Sequence, residues 1–143
     1  MASAFQGTVS RTIVGRLPIG DDLLEGLQRV CTEKGIKTGR IAAIGAVGRA
    51  RIGYYDQDEG EYLYNQLDRP LEITMLSGNV SLLDGNTMVH AHLTLADSEG
   101  RAYGGHLAAG TEVFACEYFV DVLDDVILRR KPDPETDLSL WDL

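Results

Sequence analysis

Val89-His90-Ala91-His92-Leu93-Thr94-Leu95-Ala96-Asp97-Ser98-Glu99-Gly100-Arg101-Ala102-Tyr103-Gly104-Gly105-His106-Leu107 contains all three histidines of the 143-residue chain. Its pattern reads as a β-hairpin. Ser98, Glu99 and Gly100 form a three-residue loop whose last position must be left-handed, where glycine costs least. Closing the loop makes Asp97 and Arg101 the flanking pair and sets His92 opposite His106, with Cβ atoms about 5 Å apart on one face. His90, two residues before His92, points to that face too. Val89, Ala91, Leu93 and Leu95 make the other face apolar. Thr94, Ala96, Ala102, Gly104 and Ala108 are polar or small and leave room above the imidazoles, so a pocket is expected there. Gly100, Gly104 and Gly105 are grouped as the glycines that shape the turn region.

A second hairpin is read upstream. Asp84-Gly85 is a strong two-residue turn signal, and closing it pairs Leu83 with Asn86, Ser77 with His92 and Asn79 with His90. Leu76, Gly78 and Val80 then face Leu93, Ala91 and Val89 on the core side. Ser77, Asn79 and Thr94 become candidates for orienting the imidazoles from behind, as groups around metal-binding histidines commonly do.

Three neutral imidazoles on one face, without a thiolate or an obvious fourth protein ligand, suit one divalent transition metal per chain. Zinc with an open fourth position is the expected ion, and Fe, Mn, Ni or Cu use the same donors. The competing reading is three hydrogen-bonded histidines on an ordinary strand face. That reading accounts for the residue types but not for their shared face and cross-strand register.

Outward from this stretch, Thr8 to Leu17 is rich in β-branched residues and reads as a strand. Asp22 with Glu25 resembles a capping box, Leu23, Leu24, Leu27, Val30 and Cys31 recur at helical spacing, and Gly35 supplies the stop. One amphipathic helix, about Asp22 to Lys34, is predicted. Arg40–Val47, Ala50–Tyr55, Tyr62–Gln66, Leu71–Leu83 and Thr111–Leu123 read as further strands, and Asp56–Glu61 as an acidic turn. The fold class is α+β: a mostly antiparallel sheet packed against one main helix. In the last long strand Phe114, Cys116, Tyr118, Val120 and Val122 share a face. Glu117 lies on the other, among Val113, Ala115 and Phe119, where a carboxylate needs a cation, a metal-bound water or a neighbouring subunit as partner unless the strand edge is open to solvent. It is the candidate general base should a metal-bound water attack a substrate.

Size and 44% hydrophobic content suit a single domain, expected over residues 1–125, followed by a tail over 126–143. Prolines and mixed charge make Arg129–Asp137 read as an extended linker, with an apolar end, Leu138–Leu143, able to dock on its own or another subunit. The net charge of −9 disfavours a phosphate backbone as partner, and Arg129-Arg130-Lys131 is the only basic cluster. Lone cysteines at Cys31 and Cys116, no signal-peptide pattern and no apolar run of membrane length lead to a cytoplasmic expectation.

Ile19–Leu27, Ile41–Val47, Leu71–Val80, His90-Ala91-His92 and Gly104-Gly105-His106-Leu107 followed by Glu117 together resemble the plants-and-prokaryotes-conserved (PPC) domain, from about residue 8 to 125. The resemblance implies a compact α+β domain that assembles as a homotrimer, with the three histidines at the positions where prokaryotic members hold a metal. Plant members carry AT-hooks, whose Arg-Gly-Arg core is absent here. Three functions are open at this point: a trimeric metal-binding module taking a small anionic ligand or a protein partner, a metal-dependent hydrolase-like enzyme using Glu117, and a DNA-binding regulator.

Overall fold

The structure, a computed structural model, describes residues 3–143. In chain order the elements are β1 (Arg11–Leu17), α1 (Leu23–Glu33), β2 (Gly39–Asp56), β3 (Glu61–Leu67), β4 (Leu71–Leu83), β5 (Asn86–Ala96), β6 (Ala102–Leu107), β7 (Glu112–Val122), β8 (Arg129–Asp133) and β9 (Leu138–Trp141). This is the sheet-dominated α+β arrangement expected, with one helix.

The helix begins where Asp22 stops the extended chain. Its carboxylate accepts from the backbone N–H of Glu25 at 3.0 Å and from that of Gly110, satisfying one orphan donor of the first turn. Gly35, at φ +65°, turns the chain out at the other end. Leu23, Gly26, Leu27 and Cys31 form the buried stripe. Gln28 ties the helix to β5: its side-chain oxygen accepts from Val89 N–H at 2.9 Å and its amide nitrogen donates to Thr87 C=O. The strand that carries His90 and His92 is thereby braced from the core side.

β2 is the organising strand. Two strands were expected over Arg40–Val47 and Ala50–Tyr55, but they form a single 18-residue element. Its first half pairs with β4 and β7, and its second half with β3 and β6. Because β4 pairs β5 and β5 pairs β6, the hydrogen-bonded circuit β2–β4–β5–β6 returns to β2. The bend that lets one strand serve both halves passes through Gly45, at φ +147°, where a Cβ would run into the Ala115 carbonyl. Only glycine fits there.

Both hairpin registers match expectation. His92 opposes His106, Ser77 opposes His92, and Asn79 opposes His90; Gly100 sits at φ +77° in the tight turn. Gly104 and Gly105, grouped with that turn from the sequence, lie instead inside β6. Gly105 is there because β6 crosses β2 closely: a Cβ would stand 2.6 Å from the Gly53 carbonyl oxygen.

Two further expectations change. Phe114 does not share the core face of β7: it is 63% exposed while Val113 is buried, because a bulge pairs Ala46 with Ala115 and Val47 with Val113, leaving Phe114 over. The linker expected across Arg129–Asp137 is a β-hairpin. Its first strand adds parallel to the end of β4, Asp133 closes the turn by accepting from Thr136 N–H and Oγ–H, and Tyr55 O–H donates to Thr136 C=O. Asp133-Pro134, a turn-initiating pair, was the signal for it.

Candidate metal centre

His90 and His92 project from the outer face of β5, and His106 from β6 beside them. The Nε2 atoms of His90 and His92 are 3.3 Å apart, and one ring nitrogen from each of the three lies within 4.8 Å of the others. A tetrahedral metal with bonds of about 2.0–2.1 Å to nitrogen holds such ligands about 3.3–3.4 Å from one another. The first pair is thus already at the spacing a shared ion imposes. The χ2 torsion of histidine is broad, so the third ring can close the set without backbone movement.

Nδ1 of His106 is buried and has no hydrogen-bond partner among the described residues. Buried polar atoms are nearly always satisfied, and an orphan of this kind calls for an ion or a water. The electrostatics agree. Burial, followed by the neighbouring charges of His106, Arg130 and His92, holds His90 down to about 4; burial and then His92 lower His106. At neutral pH these rings carry lone pairs rather than positive charge, as metal binding requires.

The walls around the histidines come from places the local pattern did not reveal. Tyr62, on β3, lies over His106 with ring centroids 4.7 Å apart, a contact that Gly53 permits, since a Cβ there would touch both Tyr62 and Tyr64. Arg130, on β8, reaches back beneath His90. Its guanidinium donates to Ser81 Oγ at 2.8 Å, to Asn79 Oδ1 at 2.8 Å and to the Ser139 carbonyl at 2.7 Å, and its Nη2 stands 3.4 Å from His90 Nδ1. A cavity of about 160 Å³ opens between the histidines and the C-terminal hairpin, walled also by Met88, Leu138 and Leu140.

Of the residues expected to orient the imidazoles, Asn79 meets His90 only through Arg130, its Oδ1 accepting from the Nη2 that stands beside His90 Nδ1. Ser77 is exposed across from His92. Thr94 is exposed as well, and its carbonyl accepts from Thr74 Oγ. Glu117 is exposed rather than buried; it faces Arg16 and Ile44 across its neighbouring strands. The groove it lines contains Ile44, Met75 and Phe119, whereas the histidine cavity is walled by other residues. Within one chain the structure does not bring Glu117 to the histidines.

Cys31 and Cys116 are buried and unpaired, and burial pushes their thiols up to about 12 and about 11. Neither is a thiolate ligand or nucleophile at neutral pH. Among the described residues no helix is long and apolar enough to cross a membrane.

Comparison with known proteins gives a consistent result. The chain superposes on a metal-containing protein of Archaeoglobus fulgidus with TM-score 0.92 and 44% identity, covering 98% of this chain and 99% of that one. It superposes on a plant- and prokaryote-conserved (PPC) protein of Pyrococcus horikoshii with TM-score 0.93 and 37% identity, covering 99% and 98%. It is also 37% identical over 124 residues to the bifunctional protein GlmU of a Synechococcus strain, a match that takes in 85% of this chain but spans only 18% of that relative's length. The family model of the Plants and Prokaryotes Conserved (PCC) domain matches residues 4–124. With the fold, the histidine face and these matches in agreement, the chain belongs to the Plants and Prokaryotes Conserved domain family.

Proposed function

We propose that the chain is a homotrimeric metal-binding protein. His90, His92 and His106 hold one divalent transition metal, zinc, and the remaining coordination position takes a small ligand or a group from a protein partner. The observation that carries this reading is the meeting of three imidazoles on one sheet face, two of them 3.3 Å apart, with the buried Nδ1 of His106 unpartnered among the described residues. The 44% identity to a metal-containing protein adds support. A metal on three imidazoles supplies Lewis acidity at an open position; the residues around it orient the rings and shape access.

Self-association is supported by the outer face of the sheet. Val14, Phe119, Ile44 and Met75 are 62%, 58%, 58% and 63% exposed, and they run side by side across β1, β7, β2 and β4. An apolar stripe of this kind marks a contact surface. His92, Ser77 and Thr94 continue the same outer face, so the proposed metal site adjoins the proposed contact. A cytoplasmic location belongs to the same proposal, supported by the two free, buried thiols.

Elemental analysis of purified protein joined to light scattering tests both parts. One transition metal per chain and a mass near three times 15.6 kDa are expected, with most of the metal lost in each of His90→Ala, His92→Ala and His106→Ala. Undiminished metal in all three variants would refute the site, and a monodisperse monomer would refute the assembly.

A further inference from the structure

We infer that the cavity beside the histidines is a binding site for a small, free carboxylate with a short apolar chain, recognised by Arg130. The inference goes beyond the metal-site reading above and shares His90 and His106 with it as cavity walls. Among the described residues Arg130 is half-buried and makes no ion pair; its oxygen partners, Ser81, Asn79 and the Ser139 carbonyl, are all neutral. A partly buried cation without a counter-charge is unfavourable unless an anion joins it, and the chain elsewhere has carboxylates in excess, at a net charge of −9. None of them lines this cavity.

Counting donors narrows the anion. A guanidinium carries five N–H groups; three are engaged by those oxygens, leaving one on Nη1 and the one on Nη2 that faces His90 Nδ1 at 3.4 Å. Arginine cannot accept, so this contact requires a lone pair on Nδ1. At 3.4 Å that contact is long for a hydrogen bond, so the Nη2 donor stays open to a stronger acceptor. An oxygen anion in the cavity meets it together with the free Nη1 donor. Two donors match the two oxygens of a carboxylate, whereas a phosphate dianion would leave acceptors unmet.

The remaining walls set the other end of the ligand. Met88, Leu138, Leu140 and the ring of Tyr62 are apolar surfaces, and the cavity volume of about 160 Å³ is that of about five waters at ~30 Å³ each. That volume suits an acid of about the size of isovalerate. Arg130, Leu138 and Leu140 all lie beyond residue 124, outside the segment shared with the family model. The cavity therefore joins the charged wall and two apolar walls of the C-terminal hairpin to Tyr62, Met88, His90 and His106 of the matched segment.

Isovalerate titrated into the zinc-loaded 143-residue protein, against its neutral isostere isovaleramide, tests this by calorimetry and by the emission of Trp141, the only tryptophan, whose ring lies 6.0 Å from the Arg130 guanidinium. Saturable binding of isovalerate at least about tenfold tighter than the amide is expected. Arg130→Lys, which keeps the charge and loses the fork, should abolish most of that preference. Equal affinity for acid and amide, or no saturation by about 100 mM acid in protein carrying one zinc per chain, overturns the carboxylate site and leaves the metal reading standing. Selective acid binding in protein that takes up no zinc does the reverse. The wild-type comparison decides even if the lysine variant loosens the hairpin.

Discussion

Gly105→Ala is the sharpest single perturbation of the site, because it alters no ligand. The added Cβ would stand 2.6 Å from the Gly53 carbonyl oxygen, whereas carbon–oxygen contacts between neighbouring strands settle at about 3.3 Å or more. Strand β6 must retreat from β2 by about 0.7 Å, and the two strands share only the pairs Ile52–Leu107 and Gly53–His106. Overpacking of this kind costs about 1–3 kcal/mol. The stiffer unfolded chain returns about 0.4–1 kcal/mol, so a net loss of about 1–2 kcal/mol is expected. His106 moves with the strand, and zinc affinity should drop about tenfold or more, as when a ligand's support is removed. Urea unfolding of metal-free protein reads the first effect and zinc competition against a chelator reads the second. Gly100→Ala is the control: its φ of +77° in open space costs about 1–2 kcal/mol with no effect on zinc. If Gly105→Ala matches wild type in both urea midpoint and zinc affinity, the close crossing does not position His106.

Acid should destabilise the metal-free protein in a defined window. An unfolded imidazole titrates near 6.5 and folded His90 at about 4, so between these values the unfolded state binds the proton that the folded state refuses. Stability is then fully present above about 6.5 and falls as pH drops toward 4, by about 1–2 kcal/mol for a partly exposed ring; a urea midpoint that is flat across that window in wild type, or unchanged in slope by His90→Asn, contradicts the assignment. Phe119→Asp places a charge in the centre of the apolar stripe and should reduce the light-scattering mass from three chains to one, an outcome that an unaltered trimer would deny. No sequence-specific DNA complex is expected in about 150 mM salt, since the net charge is −9 and Arg130 of the basic triplet is turned inward; a saturating, sequence-selective gel shift at nanomolar protein would reverse that conclusion.

The histidine face was legible before any coordinates because its information is local. A three-residue loop ending in Gly100 and a two-residue turn at Asp84-Gly85 each set a register, and once the turns are placed the period of two assigns every side chain between Ser77 and His106 to a face. The helix was legible for the same reason, through Asp22, Gly35 and the stripe between them. What the tertiary structure alone decided is non-local. Gly45 and Gly48 punctuate β2 in a way that reads as two strands, and only the partners on either side, β4 and β7 before and β3 and β6 after, show that one chain segment passes through both. The bulge that expels Phe114 depends on the same pairing. Arg129-Arg130-Lys131 offers three equal charges in the sequence. Addition of β8 beside Leu82 and Leu83 turns the middle one toward His90 and leaves its neighbours in solvent. Tyr62 reaches His106 across a gap of 44 residues because Gly53 and Gly105 let β3, β2 and β6 close together. Turn chemistry and side-chain period are written residue by residue; which strand lies beside which is an energy balance over the whole chain, and it is there that the walls of the site were set.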